Sequence, residues 1–149
     1  MRNRRGWCRR IALVAVCGAG MLSLVGCARG PGEEPSFTVS GRIVDGGKPL
    51  PLDPLMAASQ AASVTLRFLR LGPGDIPDHS TTGFADAEGA FTVPKVRPGR
   101  YRIAVTHFNG RQPGDLLGGR FDERKSPIIR EFSAATSDMT IDLAKPESP

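Results

Sequence analysis

Residues 85–105 read ADAEGAFTVPKVRPGRYRIAV, and their pattern decides the fold class. Tyr101, Ile103 and Val105 alternate with Arg102, Ala104 and Thr106. A period of two over this length marks a strand with one face buried. Upstream, Arg97-Pro98-Gly99 sets Pro and Gly in the order a tight turn favours. Phe91 and Val93 form a further alternating run, and Asp86-Ala87-Glu88-Gly89 before them is a hairpin turn.

The same grammar extends in both directions. FTVSGRIV, residues 37–44, places Phe37, Val39, Gly41 and Ile43 on one face. Asp45-Gly46-Gly47 ends it as a turn, prolonged through residues 48–51. Residues 52–61 fit no strand and predict a loop or one short helical turn, with Asp53 and Pro54 as N-cap and first-turn pair. SVTLRFLRL, residues 63–71, buries Val64, Leu66 and Phe68 and exposes Thr65 and Arg67, and Gly72-Pro73-Gly74-Asp75 breaks it. A weaker strand covers 79–85. Residues 109–126 predict a long polar loop with four glycines, and 128–132 and 139–143 predict the last two strands. Seven short strands separated by turns, with no amphipathic helix, argue an all-β chain, expected here as a single antiparallel seven-stranded sandwich. Gly 18 and Pro 13 with only 6% aromatics agree with a turn-rich β domain.

Charge divides the chain unevenly. The formal net charge is +5, but Arg2, Arg4, Arg5, Arg9 and Arg10 lie in the first ten residues and no acid precedes Glu33. From residue 27 onward 15 basic side chains meet 15 acidic ones. A neutral domain has no excess charge to hold a polyphosphate, so no nucleic-acid partner is expected. All three cysteines, Cys8, Cys17 and Cys27, precede residue 28, which leaves the domain without disulfides or thiolate metal ligands.

A basic stretch followed by the uncharged apolar run 11–26, IALVAVCGAGMLSLVG, has the form of a secretory signal peptide. It closes on Leu24-Val25-Gly26-Cys27, which resembles the lipobox of bacterial lipoproteins. The resemblance implies cleavage between Gly26 and Cys27 and lipidation of the Cys27 thiol. Two acyl chains on one residue suffice for stable attachment to a membrane. In such proteins a residue other than Asp after the cysteine, here Ala28, implies sorting to an outer membrane where two membranes exist. The uncharged stretch is at the lower length limit for a spanning helix, the competing reading. The expected organisation is signal peptide 1–26, lipidated Cys27 with a flexible Gly/Pro-rich tether to residue 35, β domain 36–144 and polar tail 145–149.

The order VSGRIVDGGKPLP, then VTLRF, then ADAEGAFTVPKVRPGRYRIAV resembles the carboxypeptidase regulatory-like, or transthyretin-like, β-sandwich. FDERKSPIIREF followed by MTIDL is similar to the ending of short transthyretin-like lipoproteins of planctomycete-type bacteria. The resemblance covers about residues 37–143 and implies a prealbumin-like sandwich. Its motifs are turns and corners, which specify fold far better than activity. Residues 52–61 are longer than the usual link, and Glu88 stands where Asp is usual. The hydroxyisourate-hydrolysing branch of the fold uses a His and Arg cluster and a Tyr-Arg-Gly-Ser tail, whereas this chain ends KPESP.

Candidate chemistry is sparse. Asp86 and Glu88 fall far short of the six to eight oxygens calcium takes, so the loop reads as a turn. His79 and His107, the only histidines, have no acid at ligand spacing and read as surface or strand-edge residues. Asn109, the only Asn after residue 27, reads as a loop residue rather than half of a Lys–Asn crosslink. Arg67, Arg100, Arg102 and Arg130 form either an anion-binding stripe or a solvated face. Tyr101 at its corner suits capping of a nearby backbone group. No catalytic, metal or cofactor residue is expected. The expected role is a non-catalytic interaction or structural module of the envelope, attached to the membrane by its lipid and meeting a protein partner. Its contact surfaces are the edge strands and the 109–126 loop, with Arg111 and Arg120 as candidate contacts. The alternative is a small-ligand or carbohydrate-binding module, weakened by the scarcity of Trp and Tyr.

Overall fold

Seven strands and one short helix carry the chain in the computed structural model, which describes residues 34–146. The expectations for the signal segment 1–26, for cleavage at Gly26 and lipidation at Cys27, for tether residues 28–33 and for tail residues 147–149 lie outside the described residues. The elements are β1 (Phe37–Val44), α1 (Pro54–Ala58), β2 (Ser63–Leu71), β3 (Pro77–Ala85), β4 (Ala90–Val96), β5 (Gly99–Phe108), β6 (Ile129–Phe132) and β7 (Thr136–Asp142). Alternation does the work expected of it. Val64, Leu66 and Phe68 of β2 are buried, as are Tyr101, Ile103 and Val105 of β5. Five helical residues with Pro54 in the first turn and none buried form α1, capped by Asp53.

The strands make one sheet in the order β6-β5-β2-β3-β4-β1-β7. The purely antiparallel expectation needs correction, because β1 and β7 run parallel. The reason lies in the connection. β6 ends beside Gly99, at the same end of the sheet where β1 begins, and only residues 133–135 separate it from β7. A chain that leaves and re-enters at that end must run in the direction of β1. The four residue steps from Phe132 to Thr136 span at most about 14 Å. A flat sheet of this order would set β6 and β7 six strand spacings apart, about 29 Å. The sheet is therefore strongly folded, with its two edge strands drawn together. The fold line lies between β3 and β4, whose only registered pair is Ala85↔Phe91. Gly83 permits the close crossing there, since a Cβ would stand 2.8 Å from the Thr92 carbonyl oxygen and 2.7 Å from Val93.

The core gathers residues from all seven strands. Phe68 is at its centre, with ring centroids 5.7 Å from Phe132, 6.2 Å from Tyr101 and 6.4 Å from Phe91. Tilted and offset aromatic pairs of this kind add about 0.5–1.5 kcal/mol each beyond the area they bury. The 109–126 loop contributes to this closure. Leu116 donates its N–H to the His107 carbonyl, and Val105 and Ile103 of β5 donate to the carbonyls of Phe121 and Ile128. Residues 116–128 thus cover the part of the β5 edge that β6 is too short to reach, which removes a template for unwanted strand pairing. Phe121 and Ile128 are buried in the process.

Candidate functional site

The strand register defines two ends. β1, β3, β5 and β7 begin at the tether end, where residue 36 passes into the sheet, and β2, β4 and β6 finish there. At the opposite, loop end lie α1, the Asp86–Gly89 turn and residues 109–119.

Short side chains organise the loop end. Asp53 accepts hydrogen bonds from the backbone N–H of Leu55 (3.0 Å) and Met56 (3.3 Å), and the Arg111 guanidinium pairs with its other oxygen. The Met56 N–H, then Leu55 and Arg111, hold the Asp53 carboxyl below its ordinary range. Asn109 accepts from the N–H of Arg111 and Gln112, both at 2.9 Å, and so forms a local turn. Asp86 accepts from Glu88 N–H and Ala90 N–H at 3.0 and 2.8 Å, the backbone role read for it in the sequence. Asp115 is a hub the sequence reading missed. It accepts from the N–H groups of His107, Leu117 and Gly119 at 2.9–3.1 Å. Asp followed by a Gly-rich run is the signal that was available.

The histidine reading is corrected. His107 is buried on the inner face of β5, an internal strand, and its Nε2–H donates to the Pro51 carbonyl at 2.9 Å. His79 lies on the inner side of β3, also internal, with its Nε2 buried and without a hydrogen-bond partner. Parity decides both positions: each falls in step with apolar neighbours on its strand. Among the described residues no three His, Cys, Asp or Glu side chains stand together to hold a metal.

The four arginines do not form an open anion stripe: Arg67, Arg100 and Arg102 share the outer face, whereas Arg130 is opposite the buried Tyr101. Arg67 pairs with Glu123, Arg100 with Asp75 at 3.0 Å, and Arg102 reaches the Glu123 carbonyl at 3.4 Å. Arg130 donates to the Ile129 carbonyl at 2.7 Å. Of the two candidate contacts, Arg111 is committed to Asp53, and Arg120 sets its guanidinium 5.1 Å from the Phe121 ring centroid. They do not share a depression.

What the loop end exposes is apolar. Leu55 is 81% exposed and Phe84 65%, and Phe108 and Leu116 are 39% each. Two depressions flank the segment 60–63. One, about 360 Å³, lies between Phe108, Gln60 and Arg111. The other, about 590 Å³, is lined by Leu52, Ala57, Ala58, Ala62, Phe84 and Ala85. Phe84 was not singled out in the sequence, although the hairpin carries the signal. Ala85 pairs with the inward Phe91, so Phe84 must point outward.

The tether end is charged and internally paired. Arg70, 18% exposed, makes a two-pronged contact with Asp78 (2.8 and 3.2 Å) and a 2.8 Å bond to Glu34, which Arg97 also meets at 3.3 Å. The Arg70 hydrogen bond is the main reason that both carboxyls lie below their ordinary range. Tyr101 accepts from Arg97 N–H at 3.1 Å and donates to Arg97 C=O at 3.0 Å, so its hydroxyl caps the corner as the sequence predicts. Burial raises its pKa.

No family model, curated protein or solved structure matches the chain.

Proposed function

We propose that this is an exported, lipid-anchored envelope protein whose β domain is a transthyretin-like two-layer sandwich acting as a non-catalytic interaction module. The folded sheet, the short link from β6 to β7 and the Phe68–Phe91 contact support two packed layers. The lipobox-like Leu24-Val25-Gly26-Cys27 supports the anchor and, with Ala28, an outer membrane where two are present. The observation that carries the interaction reading is the gathering of Leu55, Phe84, Phe108 and Leu116 at one end of a domain whose outer-face arginines are already engaged. Exposed apolar side chains grouped on a small domain mark contact surfaces. The test is crosslinking of the tagged protein in its own envelope, followed by mass spectrometry. A single stoichiometric protein partner crosslinked near Phe84 or Leu55 supports the reading, and crosslinks scattered over the surface overturn it.

A second reading, binding of a small ligand or carbohydrate, is favoured by the 590 Å³ depression beside the open ring of Phe84. An exposed aromatic beside a recess offers the stacking platform that Trp and Tyr do not supply here. Recovery of glycan without protein, lost in Phe84→Ala, selects it. No helix of the described residues is long and apolar enough to cross a membrane.

A further inference from the structure

We infer that the last residues of the tether belong to the folded domain, and that they hold its Ile76 end against the lipid surface while directing the loop end away from it. The inference rests on the lipid-anchor reading proposed above. Two independent observations carry it. First, β1 begins at the tether end, so the chain from Cys27 arrives there and nowhere else. Second, Glu34 does not hang free. It is bonded to Arg70 and Arg97, and Arg70 is itself locked to Asp78 while Tyr101 fixes the Arg97 backbone. A rigid corner therefore sets the direction in which the chain leaves the domain.

Chain length then limits the distance. Seven residue steps separate Cys27 from Glu34, which limits the distance between them to at most about 25 Å. The ten residues of β5 carry the loop end roughly 33 Å further. The tip nearest the bilayer is the 72–76 turn, closed by Gly72 N–H to the Ile76 carbonyl, with Ile76 69% exposed. Lys95 lies at the same end, where anionic headgroups would attract it, while Arg97 and Arg100 are already paired with Glu34 and Asp75. The occupant of this face is a lipid surface. Leu55 and Phe84, on the far side, are presented outward.

After Cys27 the chain has no further cysteine, so Ile76→Cys and Leu55→Cys give single labelling sites. Each lipidated variant, purified from membranes, carries a fluorophore in vesicles of phosphatidylethanolamine and phosphatidylglycerol containing nickel-chelating headgroups. The expected result is quenching several-fold stronger at residue 76 than at 55. Glu34→Gln, an exposed change that leaves the core intact, is expected to halve that ratio or more. Equal quenching at the two positions overturns the inference, and an unchanged ratio in Glu34→Gln overturns the role of the clamp. Mass analysis of the N-terminal peptide separates the two levels. A chain beginning at acylated Cys27 with equal quenching rejects the orientation alone, whereas residues retained before Cys27 reject the anchor and the orientation together.

Discussion

At the tether end the charges of the corner are paired with one another: Arg70 with Asp78 and Glu34, Arg97 with Glu34, and Arg100 with Asp75. At the loop end the order reverses. Asp53, Asp86, Asn109 and Asp115 spend their side chains on nearby backbone N–H groups, and large apolar residues are left in solvent. One end uses polarity to fix geometry between strands distant in sequence. The other uses it chiefly to shape loops, with the Asp53–Arg111 pair tying two of them together, and leaves hydrophobic surface exposed. A stable β domain permits this division because the strands, not the loops, hold the fold.

The comparison can be broken most directly at what both ends share. Phe68→Ala removes the ring at the centre of the core and is expected to cost about 3–5 kcal/mol in urea unfolding. A loss under 1 kcal/mol would mean that the ends are stabilised separately. Gly41→Ala tests the tie between β1 and β7, because its Cβ would stand 2.0 Å from the Met139 carbonyl oxygen. The expected loss is about 1–3 kcal/mol, with faster amide exchange concentrated in β7. Tyr101→Phe deprives Arg97 of both corner bonds and is expected to cost about 1–3 kcal/mol with the sheet intact by circular dichroism.

Acid sharpens the contrast further. The Glu34 and Asp78 carboxyls are depressed from ordinary values of 4.5 and 3.8 by Arg70. Their contribution is therefore complete above those values and is lost as pH falls through the lower folded ones. The urea midpoint is expected to fall on acidification below about pH 4, less steeply in a Glu34→Gln, Asp78→Asn variant. Leu55→Ser has the smallest effect on stability, within about 0.5 kcal/mol, while crosslinking to the partner proposed above is expected to drop. A destabilised Leu55→Ser would show that α1 supports the fold instead of presenting a surface.

Much of the fold was legible. β1 and β2 span the runs 37–44 and 63–71 read from alternation, and the capped turn at Asp53-Pro54 is where composition placed it. These are local properties, written in period and turn chemistry. The parallel β1/β7 pair was not legible, because residues 133–135 carry no mark of changing from one edge to the other. The inward course of 116–128 was hidden for a similar reason. Its buried Phe121 stands between Arg120 and Asp122 and belongs to no period of two. At the candidate site Arg111 was found by position, but its commitment to Asp53 joins residues 58 apart, beyond any local pattern. Phe84 could have been placed by counting back from Phe91. Glu34 could not, since its partners come from β2 and from the turn between β4 and β5.

The pairing of the first strand with the last has a bearing on how such a chain is made. β1 is finished on one side by β4 and on the other only by β7, some hundred positions later. Contacts of such long sequence separation form late, after costly loop closure. Until the final segment has emerged, the domain lacks its closing strand and stays short of its full cooperativity.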